Sequence, residues 1–297
     1  MEAHEVFQCY KRIGFTTAYQ MLGTIQDTED ILQDVYLLSD KVDWAVVRDP
    51  KSYFTRMVIN SCKNRLKSAR DQKEVYPGPW LPEPIIIDDL HDPLHHVIQT
   101  EKITYALTVL IQSLTDLERT VFVLREVLVF EYSEISSILE RSEPAVRKIF
   151  SRTKQKLEDK TGKLNDLLPI DSKLVSLFID GAETGDFTAF IELLTGDVEL
   201  ISDGGGKVLA ALRPIVSKVR VKAFLEGIYR KGSFIGAYHM VWVFGGFAIV
   251  QEIQGEPVKI ILFNHGKEGI KNVYFVMNPD KIFLVNMSQI IPPFCLN

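Results

Sequence analysis

Apolar residues recur with helical spacing through the first half of the chain and with strand-like spacing near its end. Val6 to Leu22 reads as one helix. Ile31, Val35 and Leu38 recur at i, i+4 and i+7 and give a second helix one apolar face. Asp27 is placed to cap that helix, and Glu29 and Asp30 then fall in its first turn, where the helix dipole favours acids. Asp49-Pro50 opens a third helix with proline at the first helical position, and Phe54, Met57, Val58, Cys62 and Leu66 share its apolar face. After a break the period returns. Leu107, Leu110, Ile111 and Leu114 form one face. Thr115 and Glu118 spell a capping box before a helix carrying Leu117, Val121, Leu124 and Leu128. A short helix, Tyr132 to Leu139, then turns at Glu140-Arg141 into a helix from Ser142, with Val146, Ile149, Phe150, Thr153 and Leu157 inward. Beyond residue 172 the pattern predicts helices at Leu174–Gly181, Phe187–Leu194 and Ile215–Tyr229 and a short strand at Val198–Ile201. Four strand-like runs follow, Tyr238–Phe244, Phe247–Ile253, Val258–Phe263 and Ile270–Met277. Helices followed by strands predict an α+β domain with an antiparallel sheet.

The break is chemically distinct. Tyr76-Pro77-Gly78-Pro79-Trp80-Leu81-Pro82-Glu83-Pro84 holds four of the 13 prolines. Each fixes φ, removes a backbone donor and pushes the preceding residue to extended geometry, so the stretch is a stiff connector. A tryptophan inside it is expected to dock on a protein surface; the plainer alternative is a semi-rigid spacer. Residues 81–101 then carry Glu83, Asp88, Asp89, Asp92 and Glu101 with no Lys or Arg, yet include Ile85-Ile86-Ile87, again as a docked segment would. Net charge of −5 over 297 residues excludes a uniformly basic nucleic-acid coat. Cys9, Cys62 and Cys295 are too scattered for a disulfide framework or a zinc site. With no signal sequence read at the start, a cytoplasmic location is expected. The longest apolar run, Met240 to Val250, is interrupted by Gly245 and Gly246 and is too short to span a bilayer, so no membrane partner is expected.

Local charge says more. On the third helix Arg56, Asn60, Lys63 and Lys67 line the face opposite the apolar one, flanked by Asn64 and Arg70. Cations neutralise phosphates and Asn both donates and accepts, which suits a nucleic-acid strand; a solvated basic face is the equal alternative. On the helix from Ser142, Lys148, Ser151 and Gln155 face outward with Arg147 and Arg152 at the edges, and no acid lies between Pro144 and Leu157. Short helix, tight turn and basic amphipathic helix is helix-turn-helix geometry, which favours DNA. Asp30, Gln33 and Asp34 stand on the exposed side of the second helix. In the last segment Asp203, His239, Trp242 and Asp180 are the polar candidates for a pocket, but no nucleophile–base pair or metal-ligand spacing is readable. Gly204-Gly205-Gly206 lacks the strand–loop–helix setting of a phosphate loop and reads as a tight turn or a close backbone approach. Asn278-Pro279-Asp280 reads as a turn before a strand-like Ile282–Val285.

Ala18-Tyr19-Gln20-Met21-Leu22-Gly23 followed by Asp27-Thr28-Glu29-Asp30-Ile31-Leu32-Gln33-Asp34 resembles the region-two opening of extracytoplasmic-function sigma factors, which direct bacterial RNA polymerase to promoters. Leu114-Thr115-Asp116-Leu117-Glu118-Arg119, with the helix-turn-helix after it, resembles their region four. The proline stretch, Asp203-Gly204-Gly205-Gly206-Lys207 and Asn278-Pro279-Asp280-Lys281 are similar to three signatures of the subgroup with a fused SnoaL-like C-terminal domain. One departure is Leu37-Leu38-Ser39, where the family often has a basic residue and Trp.

The resemblance implies two all-α sigma domains, the second with a helix-turn-helix, and a C-terminal α+β cone of the nuclear-transport-factor-two architecture. The expected boundaries are 1–75 for region two, 76–100 for the linker, 101–160 for region four, 161–171 for a short connector and 172–297 for the cone. It implies that Asp30, Gln33 and Asp34 meet the polymerase β′ clamp, with the β subunit a further partner. It places Arg56, Asn60, Lys63, Asn64 and Lys67 at the melted −10 element and Arg141, Arg147, Lys148, Ser151 and Arg152 at the −35 element. Trp80, Leu81, Pro82, Glu83 and Pro84, with the glycine-rich and Asn278–Lys281 motifs, become interdomain regulatory residues. No cofactor, metal or catalytic residue is implied. The rival readings are a SnoaL-like enzyme, or a sensor binding a small ligand in the C-terminal pocket, fused to a DNA-binding module.

Overall fold

Gly23, at φ 79, stops the first helix by donating its N–H to Tyr19 O at 2.7 Å, a left-handed cap that glycine adopts without steric penalty. The computed structural model describes residues 2–73, 76–86, 104–161, 170–243 and 246–282. These residues fall into two compact units, one drawn from 1–75, 100–102 and 107–164, the other from 76–99, 103–106 and 165–297.

The first unit holds α1 (Ala3–Leu22), α2 (Ile25–Ser39) and α3 (Pro50–Lys73), then the chain of α4 (Tyr105–Ile111) from Leu107 on, α5 (Asp116–Phe122), α6 (Tyr132–Leu139) and α7 (Glu143–Thr161). Thr24, not Asp27, occupies the N-cap of α2; its hydroxyl donates to Asp27 Oδ2 at 2.6 Å, and Asp27 turns outward to Arg65. The helix start is therefore one turn earlier than its apolar period suggested. Pro50 begins α3 as expected, with Asp49 Oδ1 accepting from Ser52 N at 3.1 Å. The Thr115–Glu118 capping box forms, and the helix it starts passes into a π-helical turn at Val123–Val127.

One apolar core unites the two groups of helices. Phe54, Val58, Cys62 and Leu66 of α3 belong to the same buried cluster as Val121, Leu124, Phe130, Ile135, Ile138 and Val146. Gly14 lets α1 approach closely, since a Cβ there would lie 2.9 Å from both Leu32 and Phe54. Arg119 staples the groups together. Its buried guanidinium donates to Ile111 O, Gln112 O and Leu114 O at 2.9–3.3 Å and to Met21 O at the end of α1. Burial holds this guanidinium down to about 10.

The second unit is built on a six-stranded sheet of order β2-β1-β6-β5-β4-β3. Its strands are β1 (Leu194–Asp203), β2 (Ile215–Val216), β3 (Ala237–Val243), β4 (Gly246–Ile253), β5 (Glu256–Gly266) and β6 (Gly269–Val276). Helices α8 (Ser172–Thr184), α9 (Thr188–Glu192) and α10 (Lys218–Arg230) accompany them, and a single turn, α11 (Pro279–Ile282), follows β6. This is the α+β architecture expected for the last segment. Three expectations are corrected. The sheet is not purely antiparallel, because β1 pairs with β6 in parallel. Hairpins fix the direction of β3 through β6, but α10 separates β1 from that meander, so no hairpin constrains it. Ile215 and Val216 pair with Leu200 and Glu199 instead of opening a helix, and α10 starts at Lys218. The turn at Asn278 leads into α11, not directly into a strand; Phe283–Val285 lie outside the described residues.

The face of the sheet that meets the helices is filled by Phe178, Phe187, Phe190, Phe234, Phe263 and Phe275, packed edge-to-face at centroid distances of 4.9–6.4 Å. The opposite face carries Tyr274, which alternates with Phe275. Tyr105 meets Tyr274 at 5.5 Å and donates to Pro82 O at 2.8 Å, and Ile86 bridges to Val243 at the edge of β3. Leu81 to Ile85 are buried. The proline stretch is thus part of the cone's packing.

Lys259 on β5 is buried beside Phe234 and Phe275, and desolvation lowers its ammonium to about 8. Between pH 8 and 10 the unfolded chain binds more protons at this site than the folded cone does. Its contribution therefore makes stability rise with pH across that window. Lys259→Met should flatten that rise, read from urea midpoints of the full chain at pH 7.5 to 9.5; an unchanged slope would show that the amine is not held in its low-pKa environment.

Candidate polymerase, promoter and linker-docking surfaces

Three helical faces carry the residues singled out in the first unit. On α2, Asp30, Gln33 and Asp34 are exposed, with Leu37 and Leu38 also exposed beyond them. A cleft between α2 and α3 brings Asp30 and Asp34 beside Ser61, Asn64 and Arg65. Arg65, which sequence reasoning passed over, bonds Asp27 Oδ1 at 2.9 Å through Nε and stands 3.8 Å from Asp30 Oδ2. It faces the carboxylates from the next helix, a relation that no period within one helix could reveal.

On α3, Asn60, Asn64 and Lys67 are exposed and Lys63 is half-buried. Burial, and then the nearby Arg141 guanidinium, hold the Lys63 ammonium below its usual range. Arg56 is placed differently. Its guanidinium donates to Ile138 O at 3.0 Å, to Ser137 O and to Glu140 Oε1 at 2.8 Å. It caps the last carbonyls of α6, where Glu140 adopts the left-handed conformation at φ 52. Nearby, Lys51 pairs with Glu134 at 3.1 Å. On α7, Arg147, Lys148, Ser151 and Arg152 are all exposed, as is Arg141 in the turn before it. Arg147 is oriented by Glu143 at 2.6 Å and by the Tyr132 ring at 4.0 Å.

The fourth site lies wholly in the second unit, at the end of β1. Asp203 is buried, and its carboxylate collects four donors. Oδ1 accepts from the Tyr76 hydroxyl and from Gly205 N at 3.0 Å; Oδ2 accepts from Leu81 N at 2.9 Å and Lys281 Nζ at 2.7 Å. Lys281 Nζ also donates to Leu81 O at 2.6 Å and sits 4.2 Å from the Trp80 ring centre. Asn278 donates to the Tyr76 hydroxyl at 3.0 Å and accepts from Asp280 N at 3.1 Å. Gly204 turns the chain by accepting from Lys207 N and Val208 N, both at 3.0 Å. Gly205, at φ 60, passes so close to Asn278 that a Cβ would meet its side chain at 2.4 Å, and a Cβ on Gly206 would meet Pro77 at 2.5 Å. Pro82, Glu83 and Pro84 are buried alongside. At the rim Lys207 and Asp280 form an exposed pair at 2.6 Å, worth at most about 1 kcal/mol. Pro279 begins α11. The three separated motifs therefore meet at one carboxylate. Tyr76 is the hub member that sequence reasoning left without a role; burial and the Asp203 carboxylate push its phenol up.

The enzyme candidates do not converge. Asp203 ends β1 and His239 lies on β3, with β6, β5 and β4 between those strands. His239 pairs with Glu252 at 2.7 Å, Trp242 packs against Phe247, and Asp180 is exposed on α8. Among the described residues no group of three or more His, Cys, Asp or Glu could hold a metal ion, and no helix is long and apolar enough to cross a membrane.

Comparison with known proteins agrees with this division. A family model for sigma-70 region 2 matches residues 6–72, and one for sigma-70 region 4 matches residues 105–157. The chain is 31% identical over 250 residues to the ECF RNA polymerase sigma factor SigJ of Mycobacterium tuberculosis, covering 82% of this chain and 79% of the relative. It is 25% identical over 216 residues to the ECF sigma factor SigG of the same organism, covering 63% and 58%. The crystal structure of the M. tuberculosis extracytoplasmic function sigma factor SigJ matches with a TM-score of 0.76 at 26% identity, over 93% of this chain and 97% of that one.

Removing one partner of a buried ion pair costs about 3–5 kcal/mol, because the other charge is left uncompensated. Asp203→Ala should therefore destabilise the cone by about that much and open residues 76–86 to protease. The paired change Asp203→Leu with Lys281→Met should recover much of the loss. Denaturant midpoints and cleavage mapping check both; an Asp203→Ala protein as stable and resistant as wild type would remove this carboxylate from the linker's anchoring.

Proposed function

Since this chain belongs to the extracytoplasmic-function RNA polymerase sigma factors, we propose that its exposed helical faces divide the family's task among themselves and that the cone regulates them in cis through the linker it grips. The chain is a sigma factor: it binds core RNA polymerase and directs promoter-specific transcription initiation. Sigma factors are not known as enzymes. In our reading residues 1–75 and 101–160 act as the two promoter-reading modules, with 76–100 and 161–171 as connectors and 172–297 as the regulator, working in the cytoplasm with the polymerase.

Asp30, Gln33 and Asp34 present the acidic face offered to the β′ clamp. Asn60, Lys63, Asn64 and Lys67 face the melted −10 strand, where unstacked bases are held by hydrogen bonds and pockets while lysines neutralise phosphates. Arg147, Lys148, Ser151 and Arg152 enter the major groove of the −35 element, with Arg141 near a phosphate. Arg56 joins the −10 set once it is released from α6.

One observation carries the regulatory reading: the two helical groups share a core, held in part by Arg56. Their elements lie about 25 base pairs apart, or ~85 Å of duplex at about 3.4 Å per pair. A compact unit of this length has a radius of gyration of only about 14 Å. It cannot read both elements at once, so the described arrangement is a closed, resting form that core polymerase opens. A partner opens it only through its higher affinity for the open state. The grip on Tyr76–Ile86 sets how much chain is left to join the modules, which is how the cone biases that opening.

Run-off transcription with bacterial core polymerase, on a promoter obtained by selection, tests this. Glu134→Ala with Glu140→Ala weakens two partly exposed pairs and should raise initiation a few-fold without changing the preferred promoter. Asp203→Ala and truncation after residue 168 should each change initiation, and the direction gives the sign of the cone's control. If the folded full chain neither binds core polymerase nor initiates, the surface assignment fails. If it initiates but none of the variants changes the rate, the closed-state reading fails alone.

A further inference from the structure

Among the described residues the cone buries two lysines, and they are treated differently. Lys281 has the Asp203 carboxylate at 2.7 Å. Lys259, only 4% exposed, has no carboxylate partner among the described residues. Its Nζ donates to Ser233 O at 2.9 Å and to Ser233 Oγ at 3.3 Å, and lies 4.7 and 5.4 Å from the ring centres of Phe234 and Phe275. The third N–H has no acceptor among the described residues. A buried ammonium without a counter-ion is a costly arrangement, and nothing in the sheet's packing requires it.

Lys259 is one of a row. It pairs in register with Gln251 on β4, which pairs with Tyr238 on β3. All three side chains hold one turn between α10 and β3. Gln251 Nε2 donates to Ser233 O at 3.1 Å and Ile235 O at 2.8 Å, and the Tyr238 hydroxyl donates to Phe234 O at 2.5 Å. Gln251 Oε1, though buried, has no donor among the described residues. The row therefore offers an unused N–H from a cation and an unused acceptor, both next to Ser233. The turn that covers them is bracketed by Gly232 at φ 77 and Gly236 at φ 130, and its Ile235 is 69% exposed. Phe234 is its one deep anchor, packed 5.9 Å from Phe178, 5.5 Å from Phe187 and 6.4 Å from Phe275.

Ser233 and Phe234 thus place a carbonyl oxygen on a cation and a phenyl ring in an aromatic cage. We propose that this turn is the internal occupant of a binding site for a small aromatic carboxylate. The ligand's ring takes the place of the Phe234 ring among Phe178, Phe187 and Phe275. Its carboxylate replaces Ser233 O and Oγ as the acceptor of Lys259, supplying the missing counter-ion. A hydroxyl on the ligand ring donates to Gln251 Oε1. The turn swings out on Gly232 and Gly236 as the ligand enters. This site is separate from the promoter-reading surfaces, and its success or failure leaves the sigma-factor assignment untouched.

The test uses the full chain with benzoate, 3-hydroxybenzoate and benzyl alcohol, with binding measured by calorimetry. Benzoate should bind at least tenfold more tightly than benzyl alcohol, and 3-hydroxybenzoate more tightly again. Lys259→Met should erase the preference for the acid, and Gln251→Leu the preference for the hydroxyl. Phe234→Ala, which empties the cage, should tighten benzoate binding. Should these variants fail to fold, wild-type protein still decides: the Lys259 side-chain nitrogen resonance should move with benzoate and not with benzyl alcohol. The proposal is overturned if benzoate shows no saturable binding to wild type, if acid and alcohol bind alike, if a folded Lys259→Met keeps the preference, or if benzoate leaves the Lys259 resonance in place.

Discussion

A single buried carboxylate, Asp203, holds together three stretches of chain that are far apart in sequence. The linker is proline-rich, and prolines cannot donate to a sheet edge, so the segment cannot simply be zipped on as another strand. It needs side-chain partners at the donors and acceptors it does retain. Asp203 takes the N–H of Leu81, Lys281 takes its carbonyl, and the two side chains neutralise each other. A buried ion pair of this kind adds little net stability over an apolar pair of the same shape. Its consequence is geometric: only one placement of Tyr76 to Leu81 satisfies the four donors. The glycines serve the same end, since a side chain at Gly205 or Gly206 would strike Asn278 or Pro77.

The helical unit meets a different constraint. The groups we assign to the promoter are cations and amides, which are poor material for a core, yet several of them take part in internal contacts. Arg56 caps α6 and Lys63 lies beside Arg141. The like charges of Lys63 and Arg141 repel, and in our proposal a polyanion relieves that repulsion and competes with the carbonyls for Arg56. The buried staple, Arg119, bonds only carbonyls, so water can replace its contact to Met21 O if the groups separate. In our proposal such a closed form is populated at rest and opened by the larger partner's higher affinity for the open state.

In the cone the polar residues weighed for catalysis do not meet. They are dispersed over several elements, and one of them, Asp203, anchors the linker. The chemically unusual group is instead Lys259, a lysine within an otherwise apolar strand run, which the periodicity gave no reason to single out.

Much was legible in the chain itself. Helical periods marked α1, α3 and α5 to α7, because one apolar face per helix suffices to define each. Pro50 and Thr115 fixed helix starts by local chemistry. The ordered motifs identified the family, while the proline frame around Trp80 and Leu81 left a docked segment and a semi-rigid spacer both open. What the sequence could not decide were matters of long-range pairing. The parallel β1–β6 pair and the strand at Ile215–Val216 depend on neighbours distant in the chain, and local propensity is silent about them. The same holds for the commitment of Arg56 to α6, the meeting of three motifs at Asp203 and the missing counter-ion of Lys259. Sequence determined which residues carry charge and where most of the helices and strands would form; the tertiary structure alone decided which charges face each other, because electrostatic partners are chosen by distance in space.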